Sequence, residues 1–261
     1  MQIKNKKFLI IGGAGLIGSH TTDLLIKEGA KKIIIFDNFT RGKKSNLNNA
    51  LKNKNVEIFP LGGDILQIDI LNNAMKEVDG VFHFAALWLM HCHEFPRSAF
   101  NTNVLGAYNV FESCINNKVD KLVFSSSASV YGDAEYNPIN EKHPFNNKNF
   151  YGATKISGEA LLNALHHRYG IKYIGLRYMN VYGERQDQKG AYVAVIMKII
   201  DSIFNNISPV IYGKGDEAFD FINVKDCAAA NILAMKSNIN NGFYNVGTGK
   251  KTKLIDLATL L

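Results

Sequence analysis

Residues 149–155 read NFYGATK. A tyrosine four positions before a lysine lies on the same face of a helix, one side chain above the other. Taken alone, the pair would also suit an exposed surface helix. As chemistry, Tyr151 and Lys155 put a phenol beside an ammonium. A phenol with a pKa of about 10 is a poor base at neutral pH. An opposite charge within ~4–6 Å lowers such a pKa by about 1–3 units, toward the range where a general base is effective. A hydroxyl partner is at hand in SSSASVYG, residues 125–132, which closes an apolar run. Ser127 therefore falls at the carboxyl end of a strand, the ligand edge of an open α/β sheet. It would share the hydrogen bond of a substrate hydroxyl while Tyr151 takes the proton and hydride leaves the same carbon.

That hydride needs an acceptor. Residues 8–18, FLIIGGAGLIG, follow a strand-like run with glycines at 12, 13, 15 and 18 and then open the amphipathic segment SHTTDLLIKEG. Glycine lets a backbone turn tightly there, and the unpaired N–H groups of a helix N-terminus attract a pyrophosphate. About twenty residues on, the second strand ends in Asp37. A carboxylate at that place accepts from both adenosine ribose hydroxyls and repels a 2′-phosphate, so NAD is expected over NADP. Arg41, Lys43 and Lys44 stand close enough in sequence to meet a phosphate. Asp64, in GGDI, suits either the adenine amine or a loop cap.

The elements that must hold these groups are legible as short β-rich runs: KFLIIGG, KKIIIFDN, VEIFPLGGD, GVFHFAA, KLVFSSS and YIGLRYM. Amphipathic segments such as TNVLGAYNVFESCINNK separate them. Nearly continuous apolar strands alternating with helices predict a buried parallel sheet covered on both faces, with right-handed crossovers. The expected fold is α/β: a Rossmann doubly wound sheet over 1–176, then a smaller substrate-binding lobe over 177–261 with segments returning to the sheet.

The 261 residues are 46% hydrophobic and 20% charged, ordinary globular composition. No apolar run reaches the ~18 residues of a membrane span, and the short apolar start leads directly into glycines. Three widely spaced cysteines, Cys92, Cys114 and Cys227, suggest no disulfide framework and point to a reducing cytoplasm. The net charge is +7, but the lysines are scattered without interleaved aromatics, so no nucleic-acid partner is expected. In WLMHCHEFPR the neighbours His91, Cys92, His93 and Glu94 cannot easily share one ion, and no metal is expected. Trp88 and His91 in that loop either shape specificity or, for Trp88, pack in the core.

Taken together, GGAGLIGSH, FDN, GDI, HFAA, NTNVLGAYNV, SSSASVYG, NFYGATK, LRYMNVYGERQ, FDFINVKD and YNVGTG span nearly the whole chain. In this order they resemble the extended short-chain dehydrogenase/reductases, in the NAD-dependent sugar epimerase/dehydratase branch. The resemblance implies NAD held by Gly12, Gly15, Leu16, Ile17, Gly18, Asp37, Asn38, Asp64, Ile65, Ala85, Ala86, Tyr151 and Lys155. It implies Ser127, Tyr151 and Lys155 as the catalytic set, and Ser127, Tyr151, Asn180, Arg185 and Tyr192 as contacts to a nucleotide sugar. Asn103 matches an asparagine that is commonly structural. Dehydratases of the branch carry an Asp-Glu pair after the catalytic hydroxyl residue, and decarboxylases usually a glutamate at the second place; here Ala128 and Ser129 stand there. Oxidation and re-reduction at C4 then remain, as in UDP-glucose and UDP-glucuronate 4-epimerases. A dehydrogenase releasing reduced cofactor, or a non-catalytic NAD-binding scaffold, are the alternatives.

The resemblance also implies a cytoplasmic homodimer paired through the helix after NTNV and the one beginning at Tyr151. Two positions depart from it. Ile11 replaces a usual threonine, and Phe219 stands where many members grip the diphosphate with arginine. Arg185 is the candidate replacement cation, for a phosphate or a sugar carboxylate, unless it is a surface arginine after a turn. Relatives usually run some tens of residues longer, so part of the substrate lobe is expected beyond Leu261.

Overall fold

The computed structural model describes residues 1–187, 195–211 and 213–261. Its first half runs β1 (Lys7–Ile11), α1 (Leu16–Lys27), β2 (Lys32–Phe36), β3 (Val56–Ile58), α2 (Ile68–Ala74), β4 (Gly80–His83), α3 (Leu89–Glu94) and α4 (Pro96–Ala99). A π-helical turn over 100–105 leads into α5 (Gly106–Asn116), β5 (Lys121–Ser127), α6 (Phe150–Tyr169) and β6 (Tyr173–Tyr178). The remainder holds β7 (Asn180–Tyr182), α7 (Val195–Phe204), β8 (Ala218–Phe219), β9 (Phe221–Asn223), α8 (Val224–Lys236), β10 (Phe243–Val246), β11 (Thr252–Lys253) and α9 (Leu254–Leu260).

Seven strands form one sheet in the order β10-β6-β5-β4-β1-β2-β3, every pair parallel. The two-residue period of β1 explains how both faces are covered. Phe8 and Ile10 join Ile33, Ile35, Phe82 and Val123 on one face, beneath α1 and α8. Leu9 and Ile11 join Phe36, Val81, Leu122 and Phe124 on the other, with residues of α2, α5 and α6. Strands buried on both faces read as unbroken apolar runs for this reason. The order in which strands are added reverses between β1 and β4, and their carboxyl ends, paired at Ile11 and His83, open the crevice where such sheets take ligands.

Beyond residue 176 the chain is not a separate block. β10 pairs with β6 as the sheet's outer strand, and α8 packs along α1. Among the described residues, a small cluster of Ile196, Ile199 and Leu257 forms a core apart from the sheet. No helix among the described residues is long and apolar enough to cross a membrane.

Candidate active site

A cavity of about 600 Å³ lies over the β1–β4 crevice, within the ~300–1,000 Å³ usual for ligand sites. Gly12, Gly15 and Leu16 form its floor, and Asp37, Asn38, Asp64, Ile65, Ala85 and Ala86 line it from the ends of the next strands. Gly12 has φ +79°, and a Cβ there would stand 2.7 Å from the Ala85 nitrogen. At Gly18 a Cβ would collide with the Gly12 carbonyl, so this glycine permits helix and loop to touch. Gly18 and Ile17 are absent from the cavity lining; Ile17 packs on the sheet core, leaving its main chain as what α1 presents. The first-turn N–H groups of α1 lack partners within the helix. Asp37 accepts from Ala14 N and Phe39 N, both at 2.8 Å, which folds the glycine turn and the β2 loop around one carboxylate. Burial raises its pKa, and those two N–H groups act against the rise. Asp64 lines the cavity and also accepts from Leu66 N at 2.9 Å, so the cap and the ligand position coincide. This floor, with its backbone donors and an acidic residue beside them, fits the adenosine and pyrophosphate of a dinucleotide.

The catalytic candidates Ser127, Tyr151 and Lys155 are not among the residues lining this cavity; Arg41, which does line it, is near enough for its charge to act on Tyr151. Ser127 ends β5 and accepts from Ser129 N at 3.1 Å, which turns the chain sharply there. Asn149 caps α6 by accepting from Gly152 N at 2.8 Å, and the helix stops at Gly170 in the left-handed conformation. Tyr151 and Lys155 are thereby stacked on consecutive turns, as their spacing predicts. Lys155 is 4% exposed and donates to the Ser125 carbonyl at 2.7 Å. Its ammonium lies 5.5 Å from the Tyr151 ring centre and 5.3 Å from that of Phe124. Burial pushes Lys155 down to about 8. Tyr151 goes the opposite way to the expectation. Burial pushes its phenol up to about 12, while a hydrogen bond with Ser127 and the charge of Arg41 act downward. The residue keeps some exposed surface, but the hydroxyl end is what burial controls. Within the protein alone the phenol is not made basic, because loss of water outweighs the bond with Ser127 and the charge of Arg41.

Asn103 is buried in the π-helical turn. It accepts from Leu87 N at 2.7 Å and donates to Leu87 O and to Thr154 Oγ1, tying the loop after β4 to α6. Trp88 and His91 line the cavity, with the Arg41 guanidinium stacked 4.6 Å from the Trp88 ring centre; Trp88 is not a core residue. Arg185 lines the dinucleotide cavity and pairs with Asp23 of α1 through Nη2 at 2.6 Å, while its Nη1 is buried without a hydrogen-bond partner among the described residues. Asn180 begins β7, exposed, with its N–H on the Asp220 carbonyl at 2.9 Å, and does not line this cavity. Tyr192 lies outside the described residues. Phe219 is 38% exposed beside Phe221. The cysteines are free and buried, and among the described residues no three metal-ligating side chains come together.

Sequence reasoning passed over a buried polar cluster beneath the site. Glu159 of α6 takes both nitrogens of Arg177 on β6, at 2.9 and 2.6 Å, and a 2.5 Å bond from Ser126. Arg177 also donates to Tyr131 Oη at 2.8 Å. An arginine inside the apolar run YIGLRYM is the one signal for it, since a buried charge demands a partner.

A doubly wound parallel sheet with this glycine turn, acidic second-strand terminus and Ser/Tyr/Lys set defines a dinucleotide-dependent enzyme of the short-chain dehydrogenase/reductase type. The chain belongs to the NAD dependent epimerase/dehydratase family, whose model matches residues 8–247. NAD is accordingly its cofactor. A putative UDP-glucose 4-epimerase of Methanocaldococcus jannaschii is 41% identical over 97% of this chain and 80% of that protein. Among solved structures, UDP-N-acetylglucosamine 4-epimerase from Methanobrevibacter ruminantium, in complex with UDP-N-acetylmuramic acid, superimposes with a TM-score of 0.93. It shares 40% identity, covering 98% of this chain and 81% of that one. The Thermotoga maritima UDP-glucose 4-epimerase with UDP-glucose gives a TM-score of 0.89 at 33% identity, covering 97% and 81%.

Proposed function

We propose that this protein interconverts UDP-hexoses by epimerisation at C4 through a transient 4-keto sugar. The observation that supports this reading is the stacking of Tyr151 and Lys155 on α6 beside Ser127 at the end of β5, with Tyr151 within reach of the charge of the cavity-lining Arg41 and no carboxylate at 128 or 129. Ser127 holds the C4 oxygen, Tyr151 takes and returns its proton, and Lys155 steadies the phenolate. NAD, when bound, would supply the hydride acceptor for C4, and its oxidised nicotinamide ring would bring a second positive charge toward the phenol. Ala128 and Ser129 offer no acid for removing water from the sugar, so return of hydride to the opposite face completes the cycle.

The relatives' names support UDP as the nucleotide and a neutral hexose, or its N-acetyl derivative, as the sugar. A hexuronate would need a cation for its carboxylate, and Arg185 already pairs with Asp23 through Nη2, leaving Nη1 as its buried nitrogen without a partner among the described residues. We propose a cytoplasmic homodimer paired through α5 and α6, supported by exposed Phe100 and Leu105 in the π-helical turn leading into α5 and exposed Phe150 and Tyr169 on α6.

The test is incubation of the NAD-loaded protein with UDP-glucose, UDP-N-acetylglucosamine and UDP-glucuronate, followed by separation of epimers and mass spectrometry. Interconversion of a hexose without net reduced dinucleotide is expected. Accumulating reduced dinucleotide would instead make the protein a dehydrogenase, and turnover of UDP-glucuronate alone would reverse the choice of sugar.

A further inference from the structure

We propose that Glu159, clamped by Arg177, is the positioning residue of the catalytic pair: it fixes α6 against β5 and supplies the negative field in which Lys155 remains an ammonium. This rests on the reading of Lys155 given above.

The geometry is specific. Both side chains of the Glu159–Arg177 pair are about as buried as any in the molecule, at 4% and 5% exposure. The guanidinium is packed among the rings of Tyr131, Phe145 and Phe243, at 5.1, 5.1 and 5.5 Å. Tyr131 in turn donates to Asn245 of β10 at 2.6 Å. One carboxylate thus links β5, α6, β6 and β10. Stability alone gives little reason for it, because well-packed apolar residues in place of a buried ion pair are often neutral or stabilising.

Its neighbours are the catalytic residues. Ser126, which bonds to Glu159, precedes Ser127, and Ser125 supplies the carbonyl that holds Lys155. Glu159 sits one helical turn after Lys155, on the same face. A shift of α6 along β5 would therefore move Tyr151 and Lys155 relative to Ser127, and misplacement of about 1 Å costs on the order of a hundredfold in rate.

The charges facing Lys155 point the same way. Cys92 of α3 is a thiol whose pKa burial raises, so it is neutral at pH 7. His83 of β4 is held neutral by burial, its pKa near 3. Tyr151 is neutral for the reason already given. That leaves Glu159 as the full negative charge acting on Lys155 among the described residues. Arg177 offsets part of that field in the wild type and stays behind when Glu159 alone loses its charge, so the single variant should shift the lysine more than a variant lacking both partners.

The experiment uses the NAD-loaded protein carrying Glu159→Gln, which keeps the shape and removes the charge. We expect a folded protein with NAD bound, an unchanged KM, a kcat lower by about tenfold, and a high-pH limb of kcat moved down by about half to one pH unit. The direction follows because activity is lost as Lys155 deprotonates, and without the carboxylate it does so at lower pH. A double variant, Glu159→Leu with Arg177→Met, guards against misfolding. It should recover stability but not rate or pH profile. Wild-type kcat and an unmoved limb in either variant would overturn the inference, as would failure of both to fold, which would make the pair structural. Lys155→Met separates this from the reading beneath it. If that variant is active, the catalytic assignment fails; if it is inactive while Glu159→Gln is unaltered, only the role of Glu159 falls.

Discussion

Along β1 and β2 the cavity is built from main chain: a glycine turn, a helix N-terminus and one aspartate that binds backbone N–H groups on both sides of it. The catalytic cluster along β5 and α6 is built instead from buried side chains that could titrate, held by hydrogen bonds to other side chains and to a main-chain carbonyl. The two regions follow different physical logic. Backbone donors cost nothing to keep polar in an open crevice, and they fit a ligand feature, the pyrophosphate, that does not change during reaction. A general base must change its protonation state, so it needs a site where burial and charge oppose one another. Burial favours the neutral form of both groups, pushing Tyr151 up to about 12 and Lys155 down to about 8, while Ser127 and Arg41 act against it at the phenol and Glu159 at the ammonium. The first region should determine whether NAD stays, and the second whether anything happens to the substrate.

Tyr151→Phe is the strongest way to break that division. Losing a positioned general base typically costs about 10²–10⁴ in rate, and the same loss is expected here with NAD content unchanged on purification. Activity near the wild-type level would end the mechanism; a loss of NAD would show that the two regions are not separable. Asp37→Asn probes the opposite side with a smaller effect. One of its two backbone bonds cannot survive, because an amide nitrogen would face an N–H group. Bonds to a charged acceptor are worth about 1.5–3 kcal/mol, so NAD should bind about 10–100-fold more weakly, with kcat at saturating NAD within about twofold. Equilibrium titration with NAD and kinetics at high NAD check both halves of that statement.

How each region could be read from sequence follows the same line. The glycine turn, Asp37 and strands β1–β6 depend on local spacing and apolar runs, which a chain displays openly. Tyr151 and Lys155 were legible as a helical pair for the same reason. Their burial was not, and the sign of the Tyr151 shift depends on burial. Contacts between distant segments were likewise hidden: Arg177 with Glu159, and Arg185 with Asp23, 162 residues apart. The seventh strand, β10, is only four residues, FYNV, and exists because β6 offers it an edge. Ile17, expected at the cofactor, turns instead to the core, since the resemblance locates a backbone position and says nothing of where the side chain points.

The smallest effect sharpens the comparison most, because it measures what the catalytic region costs the fold. Lys155 has an ordinary pKa of 10.5 when unfolded and about 8 in the native protein. Below about pH 8 both states are protonated, and the native state carries the whole cost of a buried ammonium. Between about 8 and 10.5 the unfolded chain holds a proton that the native one has lost, so native stability rises with pH through that window. The shift of 10.5 − 8 = 2.5 units corresponds to about 3 kcal/mol. The bond to the Ser125 carbonyl, worth about 1.5–3 kcal/mol from a charged donor, is already included in that native pKa. Lys155→Met removes the charge and fills most of the same space, at the further cost of leaving that carbonyl unpaired. The variant should therefore be inactive yet more stable than wild type by about 1–2 kcal/mol at pH 7, with the gap closing by about pH 10. Urea unfolding of both proteins at the two pH values reads this directly. A variant that is less stable at pH 7, by a margin indifferent to pH, would mean that Glu159 and the Ser125 carbonyl offset the burial of the ammonium completely, and that the catalytic region is no dearer to the fold than the glycine turn.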